Sequence, residues 1–80
     1  MLICSQNEEK LINMDTLQTV EITYDRRNDR YSISCEYPDY AVLMGEYRTS
    51  SMAKRVLRDI YRIYSDGYRV FFMPQDQEEA

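Results

Sequence analysis

Residues 40–67 read YAVLMGEYRTSSMAKRVLRDIYRIYSDG, and the pattern changes from strand to helix within them. Residues 40–47 are apolar on both alternating faces except at Glu46, which is typical of a strand that is covered on both sides. We therefore expect this segment to be the central strand of a sheet. Gly45 within it indicates a β-bulge or a close approach of another group to the backbone.

A helix is predicted over residues 52–65, because the hydroxyl residues 49–51 that precede it are suited to its N-cap. Apolar residues then recur at helical spacing and predict one buried stripe. The stripe comprises Ala53, Val56, Leu57, Ile60 and Tyr64. Gly67 suits the left-handed backbone position that commonly ends a helix.

The segments before and after this stretch predict strands. Residues 19–25 and 30–37 alternate between apolar and polar side chains, as a hairpin with one buried face does. Residues 2–5 and 11–12 predict two short strands that face each other, and residues 68–73 predict a last one. The order of elements predicts an α+β fold: a twisted antiparallel β-meander with one amphipathic helix packed on one face and a short final strand.

Eighty residues are enough for one domain. We assign residues 1–74 to a single α+β domain and residues 75–80 to an acidic flexible tail. Cys4 and Cys35 are expected to be free thiols in a reducing cytosol. A domain of this size buries a limited core, and small domains without disulfides or metals often gain stability by association. A homo-oligomer is therefore expected.

The composition argues against several classes of function. The chain contains no histidine and no Cys-x-x-Cys motif, which removes the usual zinc sites and every mechanism that needs an imidazole. No serine has a nucleophile-elbow pattern around it, and two glycines are too few for a phosphate-cradling loop. We expect a protein that is not an enzyme and that carries no cofactor or metal.

The charge balance and the hydropathy bear on partners and location. Three of the 14 acidic residues lie within residues 75–80, which leaves 11 acidic against 10 basic residues in the domain. Nucleic-acid binders usually carry a basic excess, so direct nucleic-acid binding is the weakest of the functions considered, although a local basic pocket stays open. No apolar run is long enough to cross a bilayer, and the N-terminus lacks the basic region of a signal peptide. A cytoplasmic protein without membrane contact is expected.

Arginine and tyrosine are the residue types that carry the expected binding chemistry. Eight of the ten basic residues are arginines, and eight further residues are tyrosines. A guanidinium can hold a phosphate or carboxylate through two hydrogen bonds, and a tyrosine ring can stack on a base. Both residues are also enriched in protein interfaces, so a nucleotide pocket and a protein contact both stay open. The candidate ligand-binding residues are Arg30, Tyr47, Arg48, Ser50, Lys54, Arg55 and Arg58.

The predicted helix carries Lys54, Arg58 and Arg62 in one basic row, at spacings of four residues. The simplest interpretation is a solvated face on which Arg55 pairs with Asp59 one turn later. The alternative is a contact with an anion or an acidic protein. Free backbone N–H groups at the start of the helix favour a phosphate, which adds to the second interpretation.

The chain carries the patterns MLIxSQ at residues 1–6, LINxD at 11–15, YxTxxxAxxVLxxI at 47–60 and MP at 73–74. Together these patterns resemble a family of small uncharacterised proteins encoded by phages and mobile elements of low-GC Gram-positive bacteria. Small accessory phage proteins often inhibit host defence. The resemblance thus implies a non-catalytic phage-type counter-defence protein that acts by binding in the cytoplasm of a bacterial host.

Two modes of immune evasion are compatible with this resemblance. In the first, a homo-oligomer acts as a sponge and sequesters a small anionic nucleotide signal in pockets shared between subunits. In the alternative, the protein is an inhibitor or adaptor that occludes a host defence protein.

Overall fold

The computed structural model describes residues 1–16 and 19–76. Its elements, in chain order, are β1 (Leu2–Cys4), β2 (Leu11–Asn13), β3 (Thr19–Asp25), β4 (Arg30–Glu36), β5 (Ala41–Tyr47), α1 (Ser50–Ser65) and β6 (Val70–Phe72). A 3₁₀ turn over Met14–Thr16 follows β2. The predicted α+β class, with one helix and a short final strand, is confirmed.

The strands form two three-stranded sheets. The larger sheet is the antiparallel meander β3-β4-β5, and the smaller has the order β2-β1-β6. In the smaller sheet β1 is antiparallel to β2 and parallel to β6. A parallel pair requires a long connection, which here contains the whole larger sheet and the helix. The element order predicts each strand, but the division into two sheets depends on this pairing of the two ends of the chain.

The central strand of the larger sheet is β4, so the prediction that residues 40–47 form a central strand is wrong. Met44 and Tyr47 are buried because β5 lies where the two sheets share one core. On its other face, Leu43 is 44% exposed. The apolar pattern of β5 therefore reflects burial at the junction of the sheets and not a position between two neighbouring strands.

Gly45 combines the two features predicted for it. The β4–β5 register changes between Ile33, which lies opposite Gly45, and Ser34, which lies opposite Leu43, so Met44 is the extra residue of a bulge. A Cβ atom on Gly45 would lie 3.1 Å from the Tyr47 hydroxyl oxygen and 3.2 Å from Cε of Met73. The close approach of these groups to the backbone explains why glycine occupies this position.

Helix α1 begins and ends as the capping residues predict. The Thr49 hydroxyl accepts a hydrogen bond from the Met52 N–H at 3.1 Å and forms the N-cap. Gly67, with φ of 80°, donates its N–H to the Tyr64 carbonyl, and the next residue bonds to the Ile63 carbonyl. This is the Schellman arrangement.

The helix buries a narrower stripe than predicted. Ala53, Val56 and Ile60 are buried and Leu57 is half-buried, whereas Tyr64 is 44% exposed. The Tyr64 hydroxyl donates to Asp15 instead of entering the core. The buried apolar residues of both sheets and the helix are Ile3, Ile33, Cys35, Met44, Tyr47, Ala53, Val56, Ile60 and Met73.

Both cysteines are free thiols, and burial raises the pKa of the Cys35 thiol to about 11. Cys35 therefore acts as a small apolar residue of the core. Within residues 1–16 and 19–76, no helix combines the length and the apolar character needed to cross a bilayer.

Candidate functional site

The structure places the seven candidate ligand-binding residues in different surroundings. Arg30 begins β4, where its guanidinium donates to the carbonyl oxygens of Asn28 at 3.2 Å and Asp29 at 3.1 Å. These bonds close the turn between β3 and β4. Arg30 thus has a structural partner within its own hairpin.

Tyr47 lies in the core and has no exposed surface. Its hydroxyl donates to the Pro74 carbonyl at 2.8 Å. Burial, together with the negative charge of Asp76, raises the pKa of Tyr47 above its ordinary value. The side chain is consequently a neutral donor that ties the end of the chain to β5, and its ring is not presented to a ligand.

Arg48 precedes the helix N-cap and contacts a carboxylate of the chain itself. Its backbone N–H donates to Oδ2 of Asp76 at 3.2 Å, and its Nε lies 3.3 Å from the same oxygen. Gln75 donates to the Gln6 carbonyl at 2.8 Å. Residues 75 and 76, which we assigned to the tail, are therefore bonded to the domain, while residues 77–80 of the predicted tail lie outside the described residues.

The four remaining candidates lie on α1. Ser50 is its half-buried first residue, and Lys54, Arg55 and Arg58 are exposed within the two following turns. The expected Arg55–Asp59 ion pair does not form, because Asp59 pairs with Arg62 at 3.4 Å. Among the described residues, no carboxylate lies within ion-pair distance of Lys54, Arg55 or Arg58.

A more exposed surface lies on the smaller sheet, where sequence reasoning placed no site. Ile3, Ile12 and Phe71 point from its three strands into the core. The alternate residues point outward, and the register aligns them in two rows. One row is Leu11, Cys4 and Phe72, and the other is Asn13, Leu2 and Val70. We call the five outward residues other than Asn13 the apolar face.

The apolar face is well exposed. Phe72 is 70% and Leu11 60% accessible, and Leu2 and Val70 also belong to the exposed apolar residues. The sequence signal for this surface is that the three short strands are apolar at successive positions, which implies apolar side chains on both faces. The sequence could not reveal that the three strands lie side by side.

A shallow groove of about 860 Å³ continues from the apolar face. Leu2 borders both, and Tyr61, Tyr64 and Tyr68 line the groove between the end of α1 and β1. Tyr61 is 71% exposed. We call the groove formed around these three tyrosines the tyrosine groove.

Asp15 fixes one wall of the tyrosine groove. It accepts a hydrogen bond from the Tyr64 hydroxyl at 3.1 Å and contacts the N-terminal ammonium group of Met1 at 3.3 Å. The bond to Asp15 raises the pKa of Tyr64, so the phenol remains a neutral donor at neutral pH. Arg69 also lines the groove, which therefore combines aromatic surface with polar groups at its edge.

The outward face of the larger sheet has a different chemistry. Glu21 and Glu36 lie side by side there, and hydrogen bonding to Glu36, assisted by its charge, raises the pKa of Glu21. Thr19 donates its hydroxyl to Glu36 at 3.0 Å. In the part of the chain that the structure describes, no group of three or more His, Cys, Asp or Glu side chains could hold a metal ion.

Comparisons with protein-family models, curated proteins and solved structures found no match for this chain. Its functional interpretation therefore depends on surface chemistry. The apolar face and the tyrosine groove form a continuous surface of exposed apolar and aromatic side chains.

Proposed function

We propose that this protein acts by stoichiometric binding to another protein, through the apolar face and the tyrosine groove. The observation that carries the proposal is the exposure of Phe72 and Leu11, at 70% and 60%, in one cross-strand row. In the setting that the family resemblance implies, the protein is a non-catalytic phage-type counter-defence protein, and its partner is a host defence protein that it occludes.

The fold does not need apolar residues on this face. Each of the three strands already contributes an inward side chain to the core, namely Ile3, Ile12 or Phe71. Exposed apolar area costs roughly 25 cal/mol per Å² relative to its buried state. A contiguous exposed patch on a small domain is thus best explained by a partner that covers it.

The tyrosine groove supplies the other part of a typical interface. Tyrosine combines a large apolar ring with a hydroxyl that can stay hydrated, and it is enriched in binding hot spots together with arginine. The groove presents three exposed residues of these two types, Tyr61, Tyr68 and Arg69. The groove carries charges of both signs, Arg69 and Asp15, and residues 1–74 hold 11 acidic against 10 basic residues, so the matching partner surface is an apolar patch with a polar rim.

Site-specific photocrosslinking in the bacterial host tests this proposal. A benzophenone amino acid replaces Phe72 in one variant and Tyr40 in the control, because Tyr40 is 60% exposed but lies outside the apolar face. We expect one host protein to be crosslinked from position 72 and not from position 40. Equal labelling from both positions, or none from position 72, contradicts the proposal.

A second candidate function is sequestration of a small anionic nucleotide. The observation that favours it is the exposed group of Lys54, Arg55 and Arg58 on one side of α1. Calorimetry against cyclic and ADP-ribose-type nucleotides tests it, with Arg58→Glu as the variant that should weaken binding. If no nucleotide of the panel gives a heat of binding at high protein concentration, this function is excluded.

A further inference from the structure

Among the described residues, strand β3 is hydrogen-bonded on one side, to β4. Its seven residues pair with β4 in an unbroken register from Thr19–Glu36 to Asp25–Arg30. Within residues 1–16 and 19–76, no backbone or side-chain group bonds to the backbone of β3 along its other edge. An edge of this kind is a template for a further strand.

The edge of β3 also lacks most of the features that normally prevent such pairing. Protected edges are very short, bulged, or carry proline or charged side chains, above all lysine. Strand β3 reads TVEITYD, with seven residues, no bulge, no proline and no lysine, and its only charged side chains are the carboxylates of Glu21 and Asp25. The opposite edge of the sheet, on β5, is covered instead, because Gln6 bonds to the backbone of Met44 and Glu46.

We propose that two copies of this chain pair antiparallel along β3, about a two-fold axis at Ile22, to form a continuous six-stranded sheet. The axis is perpendicular to the sheet, so both copies of α1 lie on the same face. This inference is independent of the proposed function, because the apolar face lies on the other sheet and stays open in such a dimer.

The charges of β3 select this register among the symmetric alternatives. With Ile22 on the axis, Glu21 lies opposite Thr23 of the second copy, Thr19 lies opposite Asp25, and all seven residues are paired. An axis at Glu21 would place that carboxylate opposite its own copy, and an axis at Thr23 would place Glu21 opposite Asp25. Like charges directly opposite each other destabilise a strand pair.

The helix-facing side of β3 supports the same register. Val20 and Ile22 are half-buried against the core, and Tyr24 is 46% exposed. Pairing about Ile22 places Val20 opposite Tyr24 of the second copy, which is a favourable combination of β-branched and aromatic residues. The cores of the two copies then meet at Ile22.

Two substitutions at Thr23 test the register through their opposite signs. Thr23→Lys places an ammonium group opposite Glu21 of the second copy, and Thr23→Glu places a carboxylate there. Because each pair occurs twice in the dimer, sedimentation equilibrium should give a dissociation constant about fivefold lower for Thr23→Lys and about fivefold higher for Thr23→Glu than for the unmodified chain. A monomeric mass up to millimolar concentration, or a shift of both variants in the same direction, overturns the proposal.

Disulfide trapping provides a second test that does not depend on affinity. The background carries Cys4→Ser and keeps Cys35, which is fully buried. Glu21→Cys and Thr23→Cys chains should crosslink when mixed, because position 21 lies directly opposite position 23 of the second copy. Neither variant should crosslink to itself, because the two copies of one position lie diagonally across the strand pair, about 7–8 Å apart, which exceeds the reach of a disulfide. Crosslinking of the single variants to the same extent as the mixture overturns the proposed register.

Discussion

The side-chain amide of Gln6 pairs with both backbone groups of Glu46. Its Oε1 accepts from the Glu46 N–H at 2.9 Å, and its Nε2 donates to the Glu46 carbonyl at 3.1 Å. The Gln6 backbone N–H also donates to the Met44 carbonyl at 2.7 Å. Gln6 therefore covers the edge of β5 as a short additional strand would, and it joins the two sheets.

Gln6→Glu should destabilise the fold by about 1–3 kcal/mol, because a carboxylate cannot donate to the carbonyls of Glu46 and Pro74. Urea unfolding measures the difference. Gln75→Ala is the matched control, since this exposed residue makes one bond, to the Gln6 carbonyl, and should cost less than Gln6→Glu. Equal costs for both variants would show that Gln6 does not join the sheets.

Gly45→Ala should destabilise the fold by about 1–3 kcal/mol, because the added methyl group crowds the Tyr47 hydroxyl and Met73. Tyr47→Phe removes that hydroxyl and its bond to Pro74. The double variant should therefore lose less stability than the sum of the single variants. If the two losses of unfolding free energy are strictly additive in a double-mutant cycle measured by thermal or urea unfolding, the proposed crowding is contradicted.

Thr49→Ala should cost about 0.5–2 kcal/mol, because it removes the N-cap bond to the Met52 N–H. Ser51→Ala is the control at a neighbouring exposed hydroxyl that caps no backbone N–H in the described part of the chain. The helical circular dichroism signal during urea unfolding reports both. A larger loss of stability for Ser51→Ala than for Thr49→Ala would contradict the assignment of Thr49 as the N-cap.

The raised pKa of Glu21 predicts how the stability of the fold depends on pH. Hydrogen bonding to Glu36 raises the pKa of Glu21 in the folded state, so the folded protein holds this proton more tightly than the unfolded chain. Stability should therefore fall as the pH rises from the ordinary glutamate pKa through the raised one. Glu21→Gln removes the titrating group and should flatten this slope in the range just above the ordinary glutamate pKa. An unaltered slope in Glu21→Gln contradicts the assignment.

Local sequence signals predicted most of the elements of this fold. The N-cap at Thr49 and the helix end at Gly67 follow from the conformational demands of single positions, and Gly45 marks the bulge at Met44 through the close approach of Tyr47 and Met73. One wrong prediction concerned the position of β5, whose burial comes from the junction with the smaller sheet. That sheet depends on the pairing of Leu2–Cys4 with Val70–Phe72, a contact between the two ends of the chain.

The candidate site was less predictable than the fold, for the same reason. Residue type indicates binding chemistry, but exposure depends on tertiary packing. Tyr47 is buried and bonded to Pro74, while Tyr61 and Tyr68 are exposed beside Leu2. Alternation along β1, β2 and β6 showed apolar residues on both faces of each strand, but only their alignment in one sheet makes a continuous surface.

Binding through the apolar face is tested most directly by purifying the host protein that is crosslinked from position 72 and measuring its affinity for variants of this chain. Calorimetry should show that Phe72→Ser and Leu11→Ser each weaken binding by about 10- to 100-fold, because hot-spot side chains commonly contribute more than 1 kcal/mol. Tyr40→Ser, on an exposed residue outside the face, should leave the affinity within about twofold. Unchanged affinity in both Phe72→Ser and Leu11→Ser contradicts the account.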